Sequence, residues 1–376
     1  MLLSAFVPLS TDLYLPALPT MAKTFATTDA MMNMTLVVFF ITFAIVSLVW
    51  GPLSDRFGRR RMLIIGTILY FVGSIFCAMA TSVGQLIFFR FLQALGGGVT
   101  LTLSTAITRD VYTGRKQESI LALVQSMAMI GPAIAPLVGG FILRFTDWRG
   151  MFWAQAVLGI LVIIGSLLFS ETIKEKTNKG FIGTFSRLLV VIKNPRFATL
   201  IPIFLLVSIG IMAFVTASSY IYQDHFGMTS QQYSYFFIIN AIGMMAGPLL
   251  YVQVSKYINR NKVVLIGFFI MLIAGILVIL FGAKGPWIFS LLLFPASFAG
   301  SFIRPPGTFL MLAQQKNDIG TAASLNICFA FIMGSIGMML STILPDNMIL
   351  TIGISYAVIA IISGVLWIFL SKNYKE

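Results

Sequence analysis

The chain has 376 residues, of which 58% are hydrophobic and only 10% charged. A soluble domain carries about a quarter charged residues because its surface faces water, so this composition excludes an ordinary water-soluble globule. The formal charge of +13 does not mark a nucleic-acid-binding module either. The basic residues sit in short runs between apolar stretches instead of on one solvated face.

A bilayer-crossing helix needs about 20 apolar residues. Reading apolar runs against charged or Pro/Gly breaks predicts twelve such segments, at about 1–24, 31–54, 62–81, 84–108, 117–145, 149–170, 197–222, 231–255, 262–282, 286–312, 319–344 and 347–371. The chain opens directly in apolar sequence, Met1 to Val7, without the basic start and small-residue cleavage site of a signal peptide. The first helix therefore reads as clipped on its N-terminal side. With the N-terminus placed in the cytoplasm, the inner loops hold 19 of the 25 basic residues and the outer loops four, Lys23, Arg144, Arg149 and Lys284. The positive-inside rule then puts both termini in the cytoplasm. The longest polar stretch, 171–196, falls after six segments. It reads as a cytoplasmic linker between an N-terminal bundle, 1–170, and a C-terminal bundle, 197–376, with an amphipathic piece at Phe181–Ile192 suited to the membrane surface.

Along the chain, the first notable group is Asp12, in Ser10-Thr-Asp-Leu-Tyr-Leu-Pro-Ala-Leu-Pro19. It is the one carboxylate that falls well inside a segment. A carboxyl in a low-dielectric surrounding can load and release a proton near neutral pH; the competing reading is a helix-terminal residue that binds nothing, given the prolines at 16 and 19. Next comes Gly51-Pro-Leu-Ser-Asp-Arg-Phe-Gly-Arg-Arg-Arg61. Here Gly51 is expected to let helices approach and Gly58 to permit a tight turn, while Asp55 sits where it can pair with the loop cations. Arg90 lies inside the fourth segment, where a charge is costly and points to function, although it is close enough to the outer end to snorkel. Arg109 and Asp110 close that segment on the cytoplasmic side.

The fifth segment carries Gly131-Pro-Ala-Ile-Ala-Pro-Leu-Val-Gly-Gly140. Pro132 and Pro136 bend the helix and free backbone carbonyls, and Gly139 and Gly140 allow close packing. In the second half, Gly247-Pro-Leu249 echoes the Gly51 segment. Polar or aromatic residues inside segments are candidates to face a substrate: Tyr14, Asn33, Gln125, Ser218, Tyr220, Tyr222, Tyr235, Asn240 and Asn326. Arg304, in the tenth segment, is suited to an anionic or carbonyl-bearing substrate, or else snorkels. Cys77 and Cys328 lie in apolar runs and read as core residues. With a single His225 there is no metal-ligand cluster, and no phosphate-binding Walker loop is present.

These motifs carry a resemblance. The 51–61 segment matches the G-x-L-x-D-R-x-G-R-R/K signature of the major facilitator superfamily at every defined position. The stretch 10–19 closely resembles the first span of the bicyclomycin-resistance (Bcr/CflA) drug:proton antiporters, and 131–140 resembles the G-P-x-x-G-G antiporter motif. The resemblance implies an all-α membrane fold of twelve helices in two pseudo-symmetric six-helix bundles. It implies a charge latch at the inner gate made by Asp55, Arg56, Arg59 and Asp110, with Arg59–Asp110 as the expected pair. It also implies proton coupling through Asp12 assisted by Arg90, and export of small amphipathic compounds driven by the proton gradient, with no cofactor and no nucleic acid, by a monomer in the bacterial cytoplasmic membrane. Two other readings stay open: a facilitator or symporter of a sugar, amino acid or other metabolite, and a membrane sensor or scaffold that does not transport.

Overall fold

A computed structural model of the chain describes residues 2–173, 181–315 and 319–371. Its described residues form helices and connecting turns, with no strand. Fifteen α-helices follow in order. The first seven are α1 Leu2–Asp12, α2 Leu18–Thr24, α3 Asp29–Phe57, α4 Arg59–Met79, α5 Val83–Val111, α6 Gly114–Ile142 and α7 Arg149–Leu168. They are followed by α8 Phe181–Ile192, α9 Pro195–Phe204, α10 Val207–Tyr220, α11 Ser230–Val254, α12 Arg260–Phe281, α13 Pro286–Ala313, α14 Ile319–Leu340 and α15 Met348–Leu370. Ten helical stretches are long and apolar enough to cross a membrane. The other two expected segments are the first, which is broken, and the fifth, carried by α6 with its apolar part Gly131–Ile142.

Local chemistry sets the ends. The Thr28 hydroxyl accepts from the Met31 amide at 3.2 Å at the start of α3, and Ser82 does the same for Gln85 at 3.3 Å at the start of α5. Thr229 and Gln232 form a reciprocal capping box at α11. Gly58 ends α3 with φ +102°, a left-handed geometry that only glycine adopts without strain. The expectation of a tight turn at Gly58 therefore holds. The expected close approach at Gly51 does not: a methyl group there would meet Thr102 only at an ordinary contact distance of 3.6 Å.

The chain divides into two compact units, Met1–Phe185 and Ser186–Glu376. In the first, α5 packs on α3 and α4, α7 on α4, and α1 on α6. In the second, α13 packs on α11 and α12, α12 on α15, and α10 on α14. The polarity is inverted relative to a soluble protein. Gln93, Gln155 and Asn240 are fully buried, whereas Leu168 and Phe369 are 82% and 75% exposed. Backbone polar groups are satisfied within each helix, so the outside can be wholly apolar and face lipid.

Two expected segments are interrupted. The first, expected as one run over 1–24, stops as an α-helix at Asp12, turns through Leu13 and Tyr14 and a 3-10 turn at Leu15–Ala17, and resumes as α2. Pro16 and Pro19 cannot donate the amides a continuous helix requires. The seventh is broken at Leu205–Leu206, after Pro202, and ends in a π-helical turn, Ile221–His225. The loop cations Lys174, Lys176, Lys179, Lys316, Lys372 and Lys375 lie outside the described residues, as do the side chains of Arg109, Arg115 and Gln125.

Candidate functional site

The break in the first segment leaves backbone carbonyls near the end of α1 without their usual helical partners. Side chains from two other helices reach one of them, that of Ser10. Arg90 on α5 donates from Nη1 to the Ser10 carbonyl at 3.3 Å, and Gln155 on α7 donates from Nε2 to the same oxygen at 3.1 Å. Arg90 also donates from Nη1 to Gln93 Oε1 at 2.5 Å and from Nε to the Thr35 carbonyl at 3.5 Å. Gln93 in turn donates to Ser74 Oγ and to Gln155 Oε1, both at 2.7 Å. The Ser10 hydroxyl lies 2.5 Å from the Tyr70 hydroxyl. Arg90 therefore does not snorkel. It is fully buried, with its guanidinium 4.7 Å from the ring centre of Tyr14 and 4.1 Å from that of Phe39. Cation–π contacts of this kind hold a dry guanidinium without a counter-ion.

Asp12 is the last residue of α1, and it is 7% exposed. Its position differs from the mid-helix placement expected from sequence, because the helix stops there. It accepts a hydrogen bond from the Thr11 hydroxyl, and among the described residues no salt bridge reaches it. Arg90 holds the strand of backbone just before it, through Ser10, and not its carboxylate. Tyr14, expected to face a substrate, is fully buried in the same cluster, with its hydroxyl 3.1 Å from Thr35 Oγ1.

The fifth-segment motif closes on this break. In α6, Gly131, Pro136, Gly139 and Gly140 are buried and Pro132 is half-buried. A methyl group on Gly139 would collide with the Leu13 carbonyl oxygen and lie 3.4 Å from Pro16 Cγ. The glycine thus lets α6 press against the turn that follows Asp12.

At the other end of this unit, Arg59 is the hub of a charge cluster. Its Nε donates to Asp110 Oδ2 at 2.9 Å, and its Nη1 lies 2.5 Å from both Asp55 Oδ1 and Ser54 Oγ. The structure thus brings Asp55, Arg59 and Asp110 together. Arg56 stays apart; its guanidinium lies 5.3 Å from the Phe57 ring centre and makes no ion pair among the described residues. Glu171 joins from the linker, a residue not singled out from the sequence. Its carboxylate accepts from the backbone amides of Arg59 at 2.9 Å and Arg60 at 3.3 Å, and from its own neighbours Thr172 at 3.0 Å and Ile173 at 3.3 Å. Partial burial pushes the Glu171 carboxyl up, but the amides of Ile173, Arg59, Arg60 and Thr172 outweigh it and hold the group below its ordinary value. Thr172 adds a hydrogen bond to Asp110 Oδ2 at 3.2 Å. The signal for Glu171 in the sequence is slight: an acid four spans after a loop whose next helix begins with three arginines and no capping side chain.

In the second unit, Ser218, Tyr220, Tyr222 and Asn240 are buried. Tyr222 lies in the π-helical turn with its hydroxyl 2.5 Å from Ser290 Oγ, and it stacks on Phe236. Ser218 meets the Tyr233 hydroxyl at 3.2 Å. Ser297 Oγ donates to Asn240 Oδ1 at 3.4 Å. Arg304 is exposed and makes no ion pair among the described residues.

Residues 1–338 match the family profile described as Major Facilitator Superfamily. The chain belongs to the major facilitator superfamily. It is 27% identical over all of its length to a bicyclomycin resistance protein homolog of Haemophilus influenzae, spanning 96% of that protein. It is 28% identical to the MFS-type transporter YdgK of Bacillus subtilis, over 89% of this chain and 85% of that one. A third relative, the multidrug resistance protein MdtL of Shigella flexneri, is 33% identical over 44% of this chain and 42% of its own. Among solved structures, the nucleoside transporter NupG superposes with a TM-score of 0.74 at 16% identity, covering 100% of this chain and 99% of that one. The xylose transporter XylE of Escherichia coli gives 0.73 at 14%, covering 100% and 96%. At those identities the likeness is one of fold. The chain is an integral membrane transporter and not an enzyme.

Proposed function

We propose that the chain exports small amphipathic compounds, antibiotics among them, across the bacterial cytoplasmic membrane in exchange for protons. The observation that carries this reading is Asp12: a buried carboxylate at the end of a broken helix, without a salt-bridge partner among the described residues, beside a glycine of the antiporter-like motif. A proton and a substrate that compete for one carboxylate expel each other, and exchange follows. Arg90 and Gln155 keep that carboxylate in place by holding the Ser10 carbonyl. The names of the drug-resistance relatives support the substrate class. Asp55, Arg59 and Asp110 act as the latch of the inner gate, the proton gradient supplies the energy, both termini face the cytoplasm, and the protein works as a monomer.

The test is proton release from everted vesicles, read by a fluorescent pH probe, on adding a panel of amphipathic drugs to the parent and to Asp12→Asn. Drug-triggered release that vanishes in the variant is the expected result. Equal release in both would move the proton site away from Asp12. Proton movement of the opposite sign would mean symport, and no response to any compound would sink the export reading.

A further inference from the structure

A groove of about 160 Å³ runs between α12 and α13, lined by Ile270, Ile273 and Leu277 of the one and Leu291, Leu292 and Pro295 of the other. Ile273 and Leu291 are exposed, so the groove opens outward, where the bundle faces lipid. Pro295 lies inside α13, and a proline there removes a backbone hydrogen bond and bends the helix. An aliphatic cavity of about 150 Å³ takes a benzene ring, so this one has room for about six carbons. On α12, Ile270, Ile273, Leu277 and Phe281 fall on one stripe about 100° wide. From Ile270 to Phe281 that stripe rises about 16 Å at 1.5 Å per residue. This is the depth of one leaflet, half of a hydrocarbon core about 30 Å thick.

A cation stands at the top of that stripe. Lys284 ends the 3-10 turn Gly282–Lys284 that follows α12. It is exposed, and its ammonium lies 4.7 Å from the ring centre of Phe281. Beside it Trp287, exposed at the start of α13, packs edge-on against Phe236 with ring centres 4.8 Å apart. Exposed tryptophan and lysine at a helix end mark the headgroup level of a bilayer. The sequence has no Asp or Glu from 225 to 317, and among the described residues no ion pair reaches Lys284. The positive-inside rule accounts for Lys256, Arg260 and Lys262 at the other end of α11 and α12, but not for a lysine on the outer side. We infer that the α12–α13 groove and Lys284 form a binding site for one anionic phospholipid, with an acyl chain in the groove and the phosphate against the ammonium. The two parts of the site lie in the order, and at the separation, of the two parts of such a lipid. A lysine that served only as an interfacial anchor would not choose between headgroups.

The test uses the full chain, purified in detergent, stripped of lipid and titrated with dipalmitoyl phosphatidylglycerol or dipalmitoyl phosphatidylcholine, with bound lipid counted by native mass spectrometry. The parent is expected to hold its first phosphatidylglycerol at a several-fold lower concentration than its first phosphatidylcholine. Lys284→Gln should lose that preference and Lys284→Arg should keep it. Ile273→Trp, which fills the groove from its exposed edge, should weaken retention of both lipids, and Leu291→Trp, on the opposite wall, should do the same if the first variant melts early. Lys256→Gln, at the far end of the unit, should leave the preference intact. Equal retention of the two lipids by the parent, an unchanged preference in Lys284→Gln, or unchanged retention in both groove variants would overturn the inference. Displacement of the bound phosphatidylglycerol by inorganic phosphate would make Lys284 a simple anion site and also overturn it. So would a dimer in the lipid-free parent that Ile273→Trp or Leu291→Trp abolishes, since the groove would then belong to a second copy of the chain.

Discussion

Gly139 of α6 lies so close to the carbonyl oxygen of Leu13 that no side chain fits between them. The contact ties the fifth segment to the turn immediately after Asp12, so the packing of one helix sets the position of a carboxylate on another. Gly139→Ala must push α6 away or bend the turn, an overpacking cost of about 1–3 kcal/mol. We expect it to lower the melting temperature and cut transport by more than half. Gly165→Ala, where a methyl group meets nothing within 4 Å, should change neither. Equal behaviour of the two variants in a thermal melt and a vesicle assay would show that the close approach is dispensable.

The Arg59–Asp110 pair is expected to be energetically coupled. Arg59 is largely buried and touches Asp55, Asp110 and Ser54 together, so the single changes Arg59→Ala and Asp110→Ala each leave partners stranded. A double-mutant cycle on thermal stability should give a coupling of about 0.5–3 kcal/mol, and additive single effects would refute it. Arg59→Lys should not restore transport, because an ammonium cannot present the guanidinium fork to all three acceptors.

Glu171 predicts a pH dependence with a defined sign. Its carboxyl is held below the ordinary value in the folded protein, so it contributes stability that is present above the unfolded-state pKa and is lost as the pH falls through the folded one. The parent should therefore lose melting temperature on acidification below the usual carboxylate range, and Glu171→Gln should lose less. At neutral pH, Glu171→Gln is expected to be less stable than the parent, since the amides of Arg59 and Arg60 then face a neutral acceptor. Parallel pH curves for the two proteins would refute the assignment.

Gln155 is expected to matter to transport although it carries no charge. Gln155→Leu removes one of the two donors to the Ser10 carbonyl and the acceptor for Gln93. A buried polar group losing its partner costs about 1–3 kcal/mol. Reduced transport with the protein still folded, measured by size exclusion and vesicle assay on the same preparation, is the expected outcome; a variant that melts and transports like the parent would remove Gln155 from the site.

The sequence by itself determined the class, the segments and the motifs. Apolar runs separated by charged breaks leave a chain no option but to cross a bilayer, and the 51–61 stretch brings its own turn, because Gly58 needs a backbone conformation other residues avoid. Only the tertiary structure decided who meets whom. It placed Arg90 on the Ser10 carbonyl instead of at the surface, drew Tyr14 into that cluster, left Arg56 outside the latch and brought in Glu171 from 112 positions beyond Arg59. The physical reason is that hydropathy and spacing report which groups enter the membrane, while hydrogen-bond partners depend on which helices pack side by side. Neither Gln155 nor Glu171 has a neighbour in sequence that reveals its partner, and the bonds they make exist only once α1, α4, α5 and α7 have come together.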